Sequence, residues 1–405
     1  MDADQSGDHA AEDDPVAAED QAASKDRAAD PDLPRFSEAD RHFMRRAVEL
    51  ARRGIGRVEP NPPVGCVLVT DGRVVGEGWH QRFGDPHAEV EALRSRNDTH
   101  ANRETDCTAY VTLEPCCHHG KTPPCTGALL NAGIRRVVIG TPDPFPKVDG
   151  GGIVELRRAG VKVSVGCLRT TCEDLIAPFR KLVTTGMPWI IAKWAMTMDG
   201  AIATAAGESQ WITGEIARAE VHRRRGLLDG ILVGHGTLRA DDPLLTARPT
   251  STSESPPRVP TRMVMATQPI DFRRRLFQSP DDGPVCVFID LAHAEDADRT
   301  KPDHVELVPI ERLAAKSGLM SLLRHCGGRG HTRLLIEGGS RVLGAFFDAE
   351  CVDQCEVYLG NVLFGGDAAR RPVGGTGIRA IRDASRWRMF EQLSLGPDRL
   401  LVYRR

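Results

Sequence analysis

Three potential metal ligands and one free carboxylate stand in an order that suits a catalytic zinc site. His87-Ala88-Glu89 is followed by Pro115-Cys116-Cys117-His118-His119-Gly120-Lys121-Thr122-Pro123-Pro124-Cys125. One imidazole and two thiolates, from His87, Cys116 and Cys125, provide three ligands and leave a fourth position for water, which is typical of catalytic rather than structural zinc. Bound zinc lowers the pKa of water to roughly 7, so hydroxide is available at neutral pH.

Glu89 comes two residues after the first ligand, at the start of a predicted helix, close to the metal but not bound to it. Zinc-dependent nucleobase deaminases use such a glutamate to move protons to the leaving ammonia. His118 and His119 are rival ligands, but the glycine and prolines around them favour a loop that faces the substrate. We leave Cys117 out of the ligand set because its adjacency to Cys116 directs its side chain elsewhere.

Two glycine turns in the second half of the chain suit phosphate binding. Gly234-His235-Gly236-Thr237 follows a predicted strand, and Glu337-Gly338-Gly339-Ser340 separates another strand from a helix. The backbone N–H groups of such turns can approach phosphate oxygens because no side chain intervenes. A single glycine turn of this kind is more commonly a tight structural turn than a phosphate site. The sequence has no GxGxxG dinucleotide-binding fingerprint.

Composition excludes fibrous, wholly disordered and membrane-spanning proteins. Apolar residues make up 40% of the 405 residues and charged residues 27%, an ordinary globular profile. No window approaches the roughly 20 apolar residues of a membrane span, and the acidic N-terminus does not resemble a secretory signal or transit peptide. We therefore expect a soluble, cytoplasmic protein. The eleven cysteines do not indicate a disulfide scaffold, and those outside the 116–125 cluster are predicted to be core residues.

The net charge of −3 averages two unlike parts of the chain. Residues 1–36 carry a net charge of −8, and the rest carries +5. The acidic, Ala-rich segment 1–36 cannot bury enough apolar surface to fold alone, so we predict a disordered tail. A charge of +5 suits a phosphorylated small molecule and is too small to indicate nucleic acid.

Alternating strand and helix patterns predict two α/β domains, at residues 37–184 and 185–405. Ser37 and Asp40 form a predicted capping box that opens a helix, and Asp71-Gly72 joins two strands in a hairpin. A βαβ rhythm then predicts a parallel sheet. After a hinge at Gly186-Met187-Pro188, strands at 189–196, 230–233, 261–265, 285–289, 305–309, 333–336 and 354–359 alternate with helices. The Pro- and Ser-rich residues 247–260 are a predicted surface loop.

The first motif resembles the deaminase half of the bifunctional riboflavin-biosynthesis deaminase–reductases. Eight residues separate Cys116 from Cys125 as in that family, whereas deaminases of nucleic acids have Pro-Cys-x-x-Cys. Further matching segments are Asn61-Pro62-Pro63-Val64-Gly65, Gly78-Trp79-His80 and Asp143-Pro144-Phe145-Pro146-Lys147-Val148-Asp149-Gly150-Gly151-Gly152. The resemblance implies a cytidine-deaminase-like three-layer domain in which Asn61 and His80 face the pyrimidine.

The second half is similar to the reductase half of the same family, which has a dihydrofolate-reductase-like α/β fold and uses NADPH. The matching segments are residues 193–200, 207–213 and 234–248. The resemblance implies contacts with NADPH by Ala195, Trp211, Thr237, Asp241, Gly339 and Ser340. It implies contacts with the phosphoribosylamino substrate by Ser209, Arg225, Leu245, Arg248 and Glu337.

Arg225 and Arg248 suit a ribose 5-phosphate because guanidinium forks match phosphate oxygens. Arg225 also belongs to the run Arg223-Arg224-Arg225, in which a solvated arginine is the simpler interpretation. Lys193 and Asp199 are candidates for polarising or protonating the sugar at C1′.

The function implied by the resemblance has two steps. Zinc-dependent hydrolytic deamination converts 2,5-diamino-6-(5-phosphoribosylamino)pyrimidin-4-one to the uracil, and NADPH then reduces the ribosyl group to a ribityl chain. We also expect a homo-oligomer, either a dimer or a tetramer.

Two alternative functions make different predictions. A tRNA or nucleoside deaminase with an unrelated appendage predicts the short cysteine spacing and a strongly basic surface, and the sequence has neither. A non-enzymatic protein would use the zinc structurally and the second domain to sense a nucleotide. Substitution of Glu89 distinguishes this alternative from the deaminase, because only a deaminase would lose ammonia release.

Overall fold

The computed structural model describes residues 36–97, 106–118, 123–145, 150–248 and 258–405. The predicted tail up to residue 35, the motif residues 119–122 and 146–149, and residues 249–257 of the predicted loop lie outside the described residues. The chain divides into two compact units. Of the described residues, the first unit contains those within 36–54 and 63–175, and the second contains those within 55–62 and 176–405.

The division between the units comes earlier than the predicted boundary between residues 184 and 185. A helix at Ala177–Thr185 belongs to the second unit. It is attached there because Lys181 pairs with Asp353, which also accepts a hydrogen bond from the backbone N–H of Ile190.

The first unit alternates strands and helices, as predicted. Its described elements in chain order are α1 (Glu38–Arg52), β1 (Gly65–Thr70), β2 (Arg73–Trp79), α2 (Ala88–Arg94), β3 (Thr108–Leu113), α3 (Cys125–Asn131), β4 (Arg136–Thr141), α4 (Gly151–Arg158), β5 (Lys162–Val165) and α5 (Arg169–Leu175). The strand order is β2-β1-β3-β4-β5. The hairpin β1–β2 and the pair β1–β3 are antiparallel, whereas β3, β4 and β5 run parallel.

Helices cover both faces of this sheet, which confirms the three-layer prediction. Successive residues of β1 point to opposite faces, as strand geometry requires. Cys66 and Leu68 belong to a core with residues of α2, α3 and α4. Val67 and Val69 belong to a second core with residues of α1 and α5.

The second unit contains a nine-stranded sheet. Its described elements in chain order are α6 (Ala177–Thr185), β6 (Trp189–Met196), α7 (Glu215–Arg225), β7 (Gly230–Gly234), α8 (His235–Asp241), β8 (Thr261–Ala266), β9 (Val285–Asp290), α9 (Ala294–Thr300), β10 (Val305–Ile310), α10 (Lys316–Gly328), β11 (Arg333–Ile336), α11 (Ser340–Asp348), β12 (Gln354–Leu359), β13 (Arg388–Leu395) and β14 (Asp398–Arg404). The strand order is β10-β9-β8-β7-β11-β6-β12-β14-β13.

The strands from β10 to β12 in this order are parallel, so their carboxyl ends lie along one edge of the sheet. The predicted strands are all present. The antiparallel hairpin β13–β14 was not predicted; it extends the sheet beyond β12. Its outer strand mixes charged and apolar residues and is largely exposed, which leaves little alternation to recognise.

One further expectation is confirmed within the described residues. The eight cysteines outside the 116–125 cluster are all buried free thiols. No described helix combines the length and the apolar character that crossing a bilayer requires.

Asp40 joins the cap of α1 to the sheet, and its loss should destabilise the first unit. Its carboxylate accepts hydrogen bonds from Ser37, Tyr110 and Arg136. Although burial opposes it, hydrogen bonds led by that from Arg136 lower the pKa of Asp40 to about 2.

A native pKa below the unfolded value stabilises the fold above about pH 4, and this stabilisation is lost as the pH falls towards 2. We therefore expect Asp40→Asn to lower the free energy of unfolding by about 2 kcal/mol at pH 7, with the difference shrinking between pH 4 and 2. Urea unfolding across this pH range measures it. Glu38→Gln, an exposed acid in the same turn, is the control and should change little. A constant Asp40→Asn deficit at every pH would contradict the assignment.

Candidate active site in each unit

The structure brings His87, Cys116 and Cys125 together in the first unit. The His87 Nδ1 atom lies 3.5 Å from the Cys116 Sγ and 3.3 Å from the Cys125 Sγ. His87 is the residue before α2, Cys116 follows β3, and Cys125 is the first residue of α3. The three donor atoms lie within 4.8 Å of one another.

These distances fit zinc. Zinc–nitrogen and zinc–sulfur bonds of about 2.0 and 2.3 Å at a tetrahedral angle place the two donor atoms about 3.5 Å apart. The observed 3.3 and 3.5 Å are close to that value. The Cys125 thiol and the His87 ring both hydrogen-bond to Cys116, and the Cys125 bond is the main reason that the pKa of Cys116 falls to about 4. A thiolate is the form that zinc binds, and the amino end of α3 contributes a backbone N–H to it from Cys125.

A close approach of backbones fixes the position of α2. A Cβ atom on Gly78 of β2 would stand 2.2 Å from the Ala92 nitrogen and 2.4 Å from the Ala88 oxygen. Only glycine lets the helix backbone lie this near the strand. The contact sets the height of α2 over the sheet, and with it the position of His87 and Glu89.

Glu89 is buried in the first turn of α2 and is not one of the clustered ligands. Burial raises the pKa of Glu89 to about 7, and the neighbouring Cys116 thiolate adds to the effect. A carboxyl group with a pKa near neutrality can both accept and donate a proton, which general acid–base catalysis requires.

His80 and Asp143 flank the ligands. The His80 ring centroid lies 5.5 Å from that of His87, and its Nδ1 atom is 3.1 Å from the Pro86 carbonyl oxygen. Burial lowers the pKa of His80, which favours the neutral imidazole. Burial also raises the pKa of Asp143 to about 6, with the charges of Glu114 and Cys116 adding to it.

Glu114 is a residue that the sequence interpretation missed. Its buried carboxylate accepts hydrogen bonds from the backbone N–H groups of Asp143 and Ile153, so it connects the loop after β4 and the start of α4 to the metal-binding loop. The sequence signal that could have found Glu114 is an acidic residue directly after an apolar strand. Cys117 points towards Gly151, where a Cβ would meet its Sγ at 2.8 Å, which agrees with leaving it out of the ligand set.

Asn61 belongs to segment 55–62, which is part of the second unit. Its backbone N–H donates to the Val58 carbonyl. Its contact with the pyrimidine stays a prediction.

In the second unit, the two glycine turns stand side by side at the carboxyl edge of the sheet. They follow the neighbouring strands β7 and β11 and open α8 and α11. The Gly339 N–H donates to the Thr237 Oγ1 at 3.1 Å, which joins the turns directly. A Cβ on Gly338 would come within 2.6 Å of Val342, so this glycine is required for packing of α11. Ser340 is the first residue of α11, and Asp241 ends α8 with an exposed side chain.

Beside these turns, Arg225 and Glu337 form a bidentate ion pair. The Arg225 Nε and Nη2 atoms donate to the two Glu337 oxygens at 2.9 and 2.6 Å, and Nη1 donates to the Thr246 carbonyl at 3.1 Å. Arg225 is therefore held in the protein, not solvated as its charged run allowed. Although burial opposes it, the charges of Arg225 and Lys193 lower the pKa of Glu337 to about 2.

Lys193 completes this cluster. Its ammonium lies 5.2 Å from the centroid of the Tyr358 ring, a cation–π distance. Burial lowers the pKa of Lys193, and the Glu337 charge opposes that fall. Tyr358 pairs with Ala195 across β12 and β6, so Ala195 lies next to the cluster in the sheet.

The other residues predicted to contact the substrate or NADPH differ in how exposed they are. Leu245 is buried with a positive φ of 55°, a strained conformation for a leucine, and Arg248 is exposed. Trp211 is 68% exposed, with the Arg218 guanidinium 4.6 Å from its ring centroid. Ser209 is partly exposed in the same loop.

Asp199 accepts hydrogen bonds from a loop of the second unit. The Thr197 hydroxyl and the backbone N–H groups of Phe364 and Gly365 all donate to it, and the Thr197 bond is the largest reason that its pKa falls to about 2. At neutral pH it is an acceptor without a proton to donate.

Two family models match the chain, one in each half. The model of the cytidine and deoxycytidylate deaminase zinc-binding region matches residues 37–141, and the model of the RibD C-terminal domain matches residues 188–401. These matches cover the first and the second candidate site.

Curated relatives and solved structures match over most of the chain. The riboflavin biosynthesis protein RibD of Actinobacillus pleuropneumoniae is 38% identical over 90% of this chain and 95% of its own length, and RibD of Escherichia coli is 38% identical over 89% and 97%. The Thermotoga maritima diaminohydroxyphosphoribosylaminopyrimidine deaminase/5-amino-6-(5-phosphoribosylamino)uracil reductase has a TM-score of 0.77 and 34% identity, covering 90% of this chain and 98% of its own. Acinetobacter baumannii RibD has a TM-score of 0.78 and 33% identity, covering 91% and 99%.

Neighbouring cysteines provide a matched test of the ligand set. We expect Cys116→Ser to lower the zinc content of the purified chain by one equivalent, because a serine hydroxyl stays protonated and binds zinc poorly. Cys117→Ser should leave the zinc content unchanged. Elemental analysis of both variants after equal zinc loading measures the zinc content. Loss of zinc in Cys117→Ser but not in Cys116→Ser would make Cys117 the ligand instead.

Proposed function

Because the chain belongs to the RibD family of bifunctional riboflavin-biosynthesis deaminase–reductases, we propose that its two units act in turn on one phosphorylated pyrimidine. The first unit removes the 2-amino group of 2,5-diamino-6-(5-phosphoribosylamino)pyrimidin-4-one as ammonia. The second reduces the ribosyl group of the product to a ribityl chain with NADPH. The observation that carries the proposal is a buried Glu89 beside three side chains placed to hold zinc, in the same chain as the Arg225–Glu337 pair and the neighbouring Lys193.

In the first unit, Glu89 moves the protons of the hydrolysis. Zinc held by His87, Cys116 and Cys125 supplies Lewis-acid chemistry that makes water a nucleophile near neutral pH. Glu89 takes a proton from the attacking water and passes it to the leaving amine, for which its pKa of about 7 is suited. His80 is neutral and buried beside His87, so it offers a hydrogen bond to the pyrimidine without adding charge.

In the second unit, the joined glycine turns receive the phosphates of the cofactor, and the charged cluster receives the sugar. NADPH supplies the hydride for C1′. Glycine turns that open helices suit phosphate oxygens, which supports cofactor contacts at Thr237, Gly339 and Ser340. Lys193 carries a proton whose release burial favours, and we assign it to the opened sugar, within the charges of Glu337 and Arg225.

The geometry changes the role that we propose for Arg225. Its fork faces Glu337 and the Thr246 carbonyl, so we assign it the positioning of Glu337 and Lys193. Arg248 is exposed and is the better candidate for the 5-phosphate. Asp199, an acceptor for loop N–H groups, holds residues 364–365 rather than donating the proton. A homo-oligomer, and a surface that does not bind nucleic acid, remain part of the proposal.

A coupled assay of Glu89→Gln tests the deaminase. The variant keeps the shape of the side chain but cannot carry the proton, so ammonia release should fall by about 10²–10⁴-fold. Zinc content should stay the same, and NADPH oxidation with added deaminated substrate should match that of the unmodified chain. Ammonia and NADPH are followed together. Full ammonia release with zinc bound would refute the role of Glu89, and no NADPH oxidation by the unmodified chain would refute the reductase step.

Neighbouring arginines provide a matched test of the reductase cluster. Arg225→Lys keeps the charge but loses the bidentate pair with Glu337, a loss of about 1.5–3 kcal/mol, or roughly ten- to hundredfold in kcat/KM of NADPH oxidation. Arg223→Lys changes an exposed residue of the same run that pairs with Glu220 and should have little effect. Measuring both with NADPH and with NADH also tests the cofactor. Equal activity of the two variants would contradict the positioning role.

A further inference from the structure

A second group of metal-ligating side chains lies in the second unit, at the end of the sheet opposite the glycine turns. Cys286 is the second residue of β9 and Glu306 the second of β10, so both are near the amino ends of parallel strands. The two residues are direct partners in the register, which places their side chains on the same face. His325 reaches them from α10, the helix that covers this face.

The donor atoms are arranged as ligands of one ion. The Cys286 Sγ, a Glu306 carboxylate oxygen and a ring nitrogen of His325 lie within 4.8 Å of one another. The His325 Nε2 stands 3.6 Å from the Glu306 Oε1. Zinc bonds of about 2.0–2.2 Å to nitrogen and oxygen at a tetrahedral angle would place these two atoms about 3.4 Å apart.

A polar atom without a partner points into this group. The His325 Nε2 is buried and has no hydrogen-bond partner, since the distance to Glu306 is too long for a hydrogen bond. The Phe288 ring, whose centroid is 5.6 Å from that of His325, packs nearly perpendicular to the imidazole and helps to hold it. A buried nitrogen left unpaired has a cost that a bound cation would remove.

We propose that Cys286, Glu306 and His325 bind a second zinc ion, separate from the ion of the deaminase site. A thiolate and an imidazole select zinc over magnesium or calcium, and the carboxylate adds a third ligand. Glu306 and His325 are 32% and 28% exposed, which gives the ion an entry path and leaves room for water as the fourth ligand. The ion would join β9, β10 and α10 and so stabilise this end of the sheet.

Arg329 competes with the ion for Glu306. Its guanidinium donates to the same oxygen, Oε1, that faces His325. Zinc must therefore share this carboxylate with Arg329 or displace it, and the Cys286 thiol must release its proton. Removal of the Arg329 charge should strengthen zinc binding at this site, whereas a group that is only an ion pair would show no such gain.

The test measures zinc in the full chain with the deaminase ligands removed by Cys116→Ser and Cys125→Ser. We expect one zinc equivalent to remain, and cobalt in its place to give a sulfur-to-cobalt charge-transfer band. Further substitution by Cys286→Ser or His325→Gln should remove both signals. Cys326→Ser, which changes a buried thiol on α10 next to His325 but no ligand, should keep both. Arg329→Gln should lower the dissociation constant for zinc.

His325→Gln controls for unfolding, because the His325 side chain is partly exposed and its substitution should leave the domain folded. NADPH oxidation by this variant should equal that of the unmodified chain, which shows that the reductase is intact. The proposal is overturned if the chain without deaminase ligands holds no zinc. It is also overturned if the remaining zinc survives both Cys286→Ser and His325→Gln.

Discussion

The contact of α2 with the glycines of β2 is the constraint on which the first site depends. Because Gly78 has no side chain, the helix backbone lies directly on the strand, and the residues at its amino end are fixed relative to the sheet. His87 and Glu89 stand at that end, and Cys125 opens the neighbouring helix α3, which packs on the same face. His87 and Cys125 are thus positioned by helices that pack on the sheet, and Cys116 by its place shortly after β3.

The two sites are prepared for chemistry by different physical means. In the first, burial and a thiolate raise the pKa of Glu89, so its proton becomes mobile near neutrality. In the second, opposite charges dominate: Arg225 and Lys193 keep Glu337 ionised even though little of its side chain is exposed. Hydrolysis needs a group that gains and loses a proton, whereas hydride transfer to a sugar needs fixed charges around a proton donor. The two kinds of electrostatics are those that the two proposed steps require.

In the second sheet, the glycine turns and the Cys286–Glu306–His325 group lie at opposite ends of the parallel strands. Parallel strands bring all their carboxyl ends to one edge, where the glycine turns and the charged cluster lie. The amino ends of β9 and β10 lie at the other edge, where Cys286 and Glu306 meet His325. The metal ion that we propose there would strengthen the sheet at the edge opposite the glycine turns.

The sequence alone predicted the family, most elements up to β12 and the three side chains that cluster as zinc-ligand candidates, because these depend on local patterns: strand alternation, capping residues and cysteine spacing. It also separated Cys116 from Cys117, since adjacent side chains diverge. Only the tertiary structure decided what depends on distant residues. The pairing of Arg225 with Glu337, the link through Glu114, the loop contacts of Asp199 and the meeting of Cys286 with His325 all join separate elements. No local pattern encodes such pairs, because long-range packing brings them together.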